Sequence, residues 1–243
     1  IGGIGIIAGV INVIAAGGSL LVLPMLIFLG IPPVVANGTN RLAIISQNVF
    51  AVAGFRSKNV STYPFSLYVG LFALAGAFLG AELAITIPEA LFNKVLAVVM
   101  VLAVSFILFN SIKTTKEQIE RLHGKYKVLS FILFFIIGIY GGFIQAGVGF
   151  LIMATLNMVN RLSLVKTNET KVTVVLIFNI AALLMFIING KVWWKEGLVL
   201  AIGNSIGAWI ASRVSVNKGD NWVKWFLFLT VTVLAIKLWF FSG

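Results

Sequence analysis

Long apolar runs, each closed by Gly, Pro, Asn or a cluster of charges, recur from one end of the chain to the other. Read for length and punctuation, they predict ten helical segments at about 1–16, 19–30, 36–55, 64–86, 88–110, 127–145, 149–160, 167–189, 195–213 and 221–241. Stretches such as 95–109 show no alternation of apolar and polar positions, so a β-barrel is excluded and the spans are helices. The second and seventh segments are short, about 12 residues or ~18 Å of helix, against a hydrocarbon core ~30 Å thick. A Gly-containing break precedes each, Ala15-Ala16-Gly17-Gly18-Ser19 and Ala146-Gly147-Val148-Gly149. Each long-plus-short pair therefore reads as a hairpin or a broken helix whose break lies at membrane depth. Irregular backbone is tolerated there only where protein buries it or a polar cavity borders it.

Composition removes the alternatives to a membrane protein. Of 243 residues, 60% are hydrophobic and 10% charged, with mean hydropathy +1.08. So few charges cannot coat a soluble globule, which excludes a soluble enzyme, a disordered chain and a nucleic-acid binder. The fold class expected is an all-α polytopic membrane protein in the cell (inner or plasma) membrane. The net charge of +11 resides mostly between spans, where it sets orientation. If each pair is a hairpin, one face gathers Arg56, Lys58, Lys113, Lys116, Arg121, Lys125, Lys127, Arg161, Lys166, Arg213, Lys218 and Lys224 against Lys94, Lys191, Lys195 and Lys237. If each pair is one broken crossing, the same residues divide about ten to six, so positive-inside bias favours hairpins, a cytoplasmic 111–126 connection and an outer N-terminus. Trp193, Trp194 and Trp239 then fall near the outer interface, and Trp222 and Trp225 near the inner one. Ile1 to Ala16 lacks the basic start of a cleavable leader. With no Cys, disulfides, thiol catalysis and thiolate metal sites are excluded.

The chain also repeats itself. Asn12, Gly18 and Leu20 match Gln145, Gly149 and Leu151, and Asn37-Gly38-Thr39-Asn40-Arg41 matches Thr167-Asn168-Glu169-Thr170-Lys171, each about 130 residues later. Gly76 and Gly80 match Gly203 and Gly207, at a spacing that suits helix packing. This predicts a first transmembrane repeat over 1–110, a connecting loop over 111–126 and a second repeat over 127–243. Five segments per half make the copies inverted, which is a transporter plan.

Arg41 and Lys171 stand inside apolar spans at matched positions. A cation there needs a partner or a wet cavity. They either serve structure by snorkelling or pairing, as Lys171 with Glu169, or form a shared anion site. Helix N-termini after Gly18 and Gly149 add positive potential, which suits an anion. Gly17, Gly18, Gly147 and Gly149 allow close backbone approach, or pack helices. Asn12, Ser19, Asn37, Thr39, Asn40 and Gln47, with Gln145, Thr167, Asn168, Thr170 and Asn179, supply neutral donors and acceptors. Glu169 is the candidate coupling carboxylate. Thr86-Ile87-Pro88-Glu89 reads as a capping box opening the fifth helix. His123 lacks a second His for a metal, and no metal site, P-loop or other cofactor motif is expected.

The blocks Asn12…Ala16-Gly17-Gly18-Ser19-Leu20, Leu23-Pro24, Gly30-Ile31-Pro32-Pro33 and Ala36-Asn37-Gly38-Thr39-Asn40-Arg41 resemble the first-half signature of the TauE/SafE family of sulfite exporters and membrane transporters. Thr167…Thr170-Lys171 with Asn179 is similar to its second repeat. Ser19 and Arg41 stand where many members carry Gly and Lys. The resemblance implies export or permeation of a small sulfur-containing or organic anion such as sulfite or a sulfonate.

The expected function is thus a secondary transporter of a small anion working by alternating access. Its partners would be that anion and the lipid bilayer, with no nucleic acid; a homo-oligomer is compatible with the sequence. An anion channel is the runner-up. An intramembrane enzyme using Ser19 with Lys171, and an assembly subunit without transport, are the readings from other classes.

Overall fold

The computed structural model describes residues 2–15, 18–109 and 119–214. Among these residues the structure is all helix: α1 (Gly2–Ala15), α2 (Gly18–Phe28), α3 (Pro33–Arg56), α4 (Phe65–Thr86), α5 (Glu89–Phe109), α6 (Gly124–Phe143), α7 (Val148–Met158), α8 (Leu164–Ile188) and α9 (Trp194–Val214). Each coincides with one of the first nine apolar segments. The tenth, with Lys218, Lys224, Lys237 and three of the tryptophans assigned to the interfaces, lies outside the described residues, as do Gly17, Lys113 and Lys116.

The distribution of side chains is that of a protein solvated by lipid. Leu79, Leu83, Leu102, Ile132, Leu184 and Ile202 are about half exposed, whereas Asn37, Thr39, Asn40, Arg41, Thr170, Asn179 and Asn204 are fully buried. Helices α4, α6 and α8 are long and apolar enough to cross a membrane. The chain is an all-helical polytopic membrane protein.

Glycines set the closest helix contacts. A Cβ on Gly5 or Gly9 would strike the backbone of Leu200 or Asn204, and one on Gly76 or Gly80 would strike Phe135 or Ile139. Thus α1 lies on α9, and α4 on α6, with backbones in direct contact. The ascending order of these contacts makes both pairs parallel. Gly38, Leu42, Ser46 and Gly54 of α3 meet Lys191, Gly197, Ser205 and Ser212 in the same ascending order, so α3 and α9 are parallel too. Arg41 reaches Asn179, whereas Gln47 and Asn48 share a cavity with Lys171, so α3 and α8 run antiparallel.

These directions choose between the two readings of the short segments. Since α1 and α3 both run parallel to α9, α2 must turn back between them. Gly18 packs on Ala8 and Asn12 while Ile4 faces Val22 and Met25, the register of an antiparallel hairpin. Likewise the Tyr140 hydroxyl donates to the Ala146 carbonyl at one end of the α6–α7 pair, and Ser130 meets Asn160 at the other. Both long-plus-short units are hairpins. Gly147, at φ 75°, makes the second reversal: it takes the left-handed conformation that a side chain disfavours and directly precedes α7.

One local expectation needs correcting. The Thr86 hydroxyl donates to the carbonyls of Glu82 and Leu83, so it ties down the end of α4 instead of capping α5. A threonine hydroxyl in the last turn of a helix bonds back to the carbonyls three and four residues earlier, here in addition to the backbone bond from Ile87 to Leu83.

Candidate functional site

The two hairpins meet at their tips. Ser19, at the start of α2, donates its hydroxyl to the Gln145 carbonyl at 3.3 Å. Beside this contact is a small cavity of about 20 Å³ lined by Asn12, Ser19, Ile44, Gln47, Asn48, Gln145, Val148, Gly149, Lys171 and Val175. Both hairpins, α3 and α8 contribute to it. Its volume suits about one water and is too small for an oxyanion.

The cavity wall is organised by amides. Asn12 donates to the Gln47 side-chain oxygen at 3.1 Å and accepts from the Gly18 backbone N–H at 3.1 Å, so one side chain bridges α3 and the hairpin turn. Asn204 of α9 donates to the same Gln47 oxygen at 3.2 Å. The Lys171 ammonium donates to the carbonyls of Asn12 and Val13, at 3.1 and 3.0 Å, and to the Asn168 side chain at 2.9 Å. It therefore caps the inner end of α1, where carbonyls have no partners of their own and the helix dipole is negative.

Arg41 does the corresponding work on the other hairpin. Its guanidinium donates to the carbonyls of Gly141 and Gly142 in the last turn of α6 and to the Asn179 side chain at 3.0 Å. It also lies 4.8 Å from the centre of the Phe186 ring. Asn37 completes the cap by donating to the Phe143 carbonyl at 2.8 Å. Arg41 is not among the cavity-lining residues. Its partner Asn179 and Lys171 are eight residues apart on α8, ~12 Å of helix rise. The expectation that both cations line one pocket is therefore corrected: each crosses to the opposite hairpin and caps its end, and only Lys171 borders the cavity.

Of the remaining expected site residues, Gly18, Gly147 and Asn168 flank the cavity through the turns and through Lys171. Asn40 is fully buried on α3, and neither end of its amide has a hydrogen-bond partner among the described residues. Thr39 accepts from the Trp193 backbone N–H at 2.9 Å, and so anchors the turn before α9. Glu169, at the matched position, anchors the turn before α4 by accepting from the backbone N–H and the hydroxyl of Thr62, at 3.1 and 2.6 Å. Thr173 donates to its other oxygen at 3.2 Å. Thr170 bonds the Thr62 hydroxyl and the Lys166 carbonyl, and Thr167 the Leu162 carbonyl. Thr39, Thr167, Glu169 and Thr170 hold helix ends and turns and do not line the cavity.

Sequence reasoning missed Asn48, Asn204 and Thr62. The first two carried a usable signal, since each is an uncharged polar residue inside an apolar span. Thr62 sits in a polar turn, where nothing distinguishes it from its neighbours.

A family model described as Sulfite exporter TauE/SafE matches residues 1–238. Among similar curated proteins, "Probable membrane transporter protein ORF9" of Sinorhizobium sp is 30% identical over 236 residues, covering 96% of this chain and 88% of the relative. "Probable membrane transporter protein YfcA" of Escherichia coli K12 is 28% identical over 239 residues, covering 97% and 87%. A "Probable membrane transporter protein" of Haemophilus influenzae is 24% identical over 240 residues, covering 99% and 93%. No solved structure matches significantly.

Proposed function

We propose that this chain, which belongs to the sulfite exporter TauE/SafE family of membrane transporters, is a secondary carrier that exports a small anion: sulfite, a sulfonate or another sulfur-containing or organic anion. The observation that carries this reading is the meeting of two hairpin tips beside a polar cavity with the Lys171 charge on its wall. The anion binds between the tips, near Lys171, with the Gln47, Asn12 and Gln145 amides orienting it and the Gly149 backbone close by. Because the cavity is smaller than an oxyanion, the tips separate to admit one, and they do so towards one face at a time. That requirement favours a carrier over an anion channel, which needs a continuous pore.

The packing of α1 on α9 and of α6 on α4, each through paired glycines, supports two inverted repeats, 1–110 and 127–243, joined by a cytoplasmic 111–126 connection. In this account the chain crosses the cell membrane several times with its basic face inward. Arg41 and Lys171 tie each repeat to the hairpin of the other, so movement of one is felt by its counterpart. Coupling runs through Glu169, whose bonds from Thr62 tie α8 to the turn before α4.

The test is uptake into proteoliposomes of sulfite, sulfate, thiosulfate, taurine and small carboxylates, with and without a proton gradient. Saturable movement of a sulfur oxyanion or sulfonate, recovered unchanged, is expected. Flux linear in concentration with single-channel steps would establish the channel, and a converted product would establish an enzyme.

A further inference from the structure

A second cavity, separate from the hairpin tips, opens at the face that gathers the connections before α4, α6 and α8. It has a volume of about 220 Å³ and lies between residues 61–68, residues 120–127 and Lys166 at the start of α8. Two lysines border it in different states. Lys166 is paired with Glu120 at 2.7 Å. Lys127 has no carboxylate within ion-pair distance among the described residues, and its ammonium lies over the Tyr68 ring at 4.8 Å and the Phe131 ring at 5.7 Å. His123 occupies the N-cap of the 20-residue α6 without a side-chain capping bond, so the first N–H groups of that helix are not capped by it. An unneutralised ammonium near the positive end of a long helix attracts an anion.

The surface next to this cleft says which anion. One turn beyond Tyr68 and Lys127, Phe72 and Phe131 stack with ring centroids 4.3 Å apart and planes within 10°. Further along, α4 and α6 expose Leu79, Ile132 and Ile136. A basic cleft thus continues into an aromatic ledge and then into an apolar wall, the sequence of environments from headgroup to acyl chain. A soluble oxyanion uses the cleft alone, whereas a phospholipid uses all three. Nor is the cleft an antechamber to the Lys171 cavity, because Lys166 and Lys171 project from α8 roughly 140° apart.

We propose that this cleft binds the phosphodiester headgroup of an anionic phospholipid of the inner leaflet, with Lys127 as its principal charge and the α4–α6 face as the seat of its acyl chains. The site is separate from the cavity bordered by Lys171.

The test measures retention of phosphatidylglycerol against phosphatidylcholine of the same chain length by native mass spectrometry of the purified full chain. Inorganic phosphate and sn-glycerol 3-phosphate serve as soluble competitors. The wild type should prefer phosphatidylglycerol by about tenfold and Lys127→Gln by about twofold or less, with the preference kept in Lys127→Arg and in Lys171→Gln. Equal retention of the two lipids by the wild type would overturn the proposal. So would an undiminished preference in Lys127→Gln, or displacement of the lipid by millimolar inorganic phosphate, which would mark a site for a soluble anion.

Discussion

At the inner end of α1 an ammonium from α8 takes the carbonyls of Asn12 and Val13; at the end of α6 a guanidinium from α3 takes those of Gly141 and Gly142. The two places share a device and differ in their surroundings. Around Lys171 the neighbouring helix α3 offers Gln47 and Asn48, and a cavity remains. At the positions that match these two in the second half, α8 carries Ile177 and Phe178. Phe178 is fully buried near Gly141, and Phe186 lies against the guanidinium. One helix end is polar and has room beside it; the other is sealed by aromatic rings. On the proposed function, the same charge serves the substrate in one place and the scaffold in the other.

Neutralising the two cations should separate these roles most strongly. Arg41→Met leaves the Gly141 and Gly142 carbonyls and the Asn179 amide without their donor in a dry interior, a loss of ~3–5 kcal/mol. Little folded protein should accumulate, as read by size-exclusion yield and thermal midpoint. Lys171→Met exposes its carbonyls to a cavity that admits water, so a loss of only ~1–2 kcal/mol is expected. Transport per folded molecule should then fall ~100-fold, as ~3 kcal/mol of anion attraction is removed. Equal stability losses in the two variants would erase the distinction.

The amides give a finer version of the contrast. Gln47→Leu removes the acceptor shared by Asn12 and Asn204, and should lower transport about tenfold at a cost of ~1–2 kcal/mol. Asn179→Leu, on the sealed side, should cost a similar ~1–2 kcal/mol in thermal stability and leave the substrate KM unchanged. A raised KM in that variant would place the anion near Arg41 instead.

Much of this architecture is legible in the sequence because a bilayer forces it. Apolar run length marks each of the nine helices among the described residues, and the distribution of Arg and Lys already favours hairpins over broken crossings. The assignment of the cations is harder to read. Their acceptors at Asn12, Val13, Gly141 and Gly142 are backbone carbonyls, which no residue type announces, so Arg41 and Lys171 look alike until the helix ends are placed. The relevant signal lies one and two turns away, where Gln47 and Asn48 stand against Ile177 and Phe178. Glu169 is a similar case: its donors include the Thr62 main chain, so its work as an anchor is not visible in its own segment.

The smallest effect expected is at the contact between the tips. Ser19→Ala removes one hydrogen bond of 3.3 Å, worth ~0.5–1 kcal/mol, and should change the transport rate only two- to fivefold. A larger loss would mean that the hydroxyl itself touches the anion.

The most direct test of the whole account is equilibrium binding of sulfite to the purified protein, measured by calorimetry for the wild type and for Lys171→Gln. Loss of one charge-assisted contact predicts affinity weakened by at least about tenfold in the variant, with its fold retained. Undiminished sulfite binding by Lys171→Gln would contradict it.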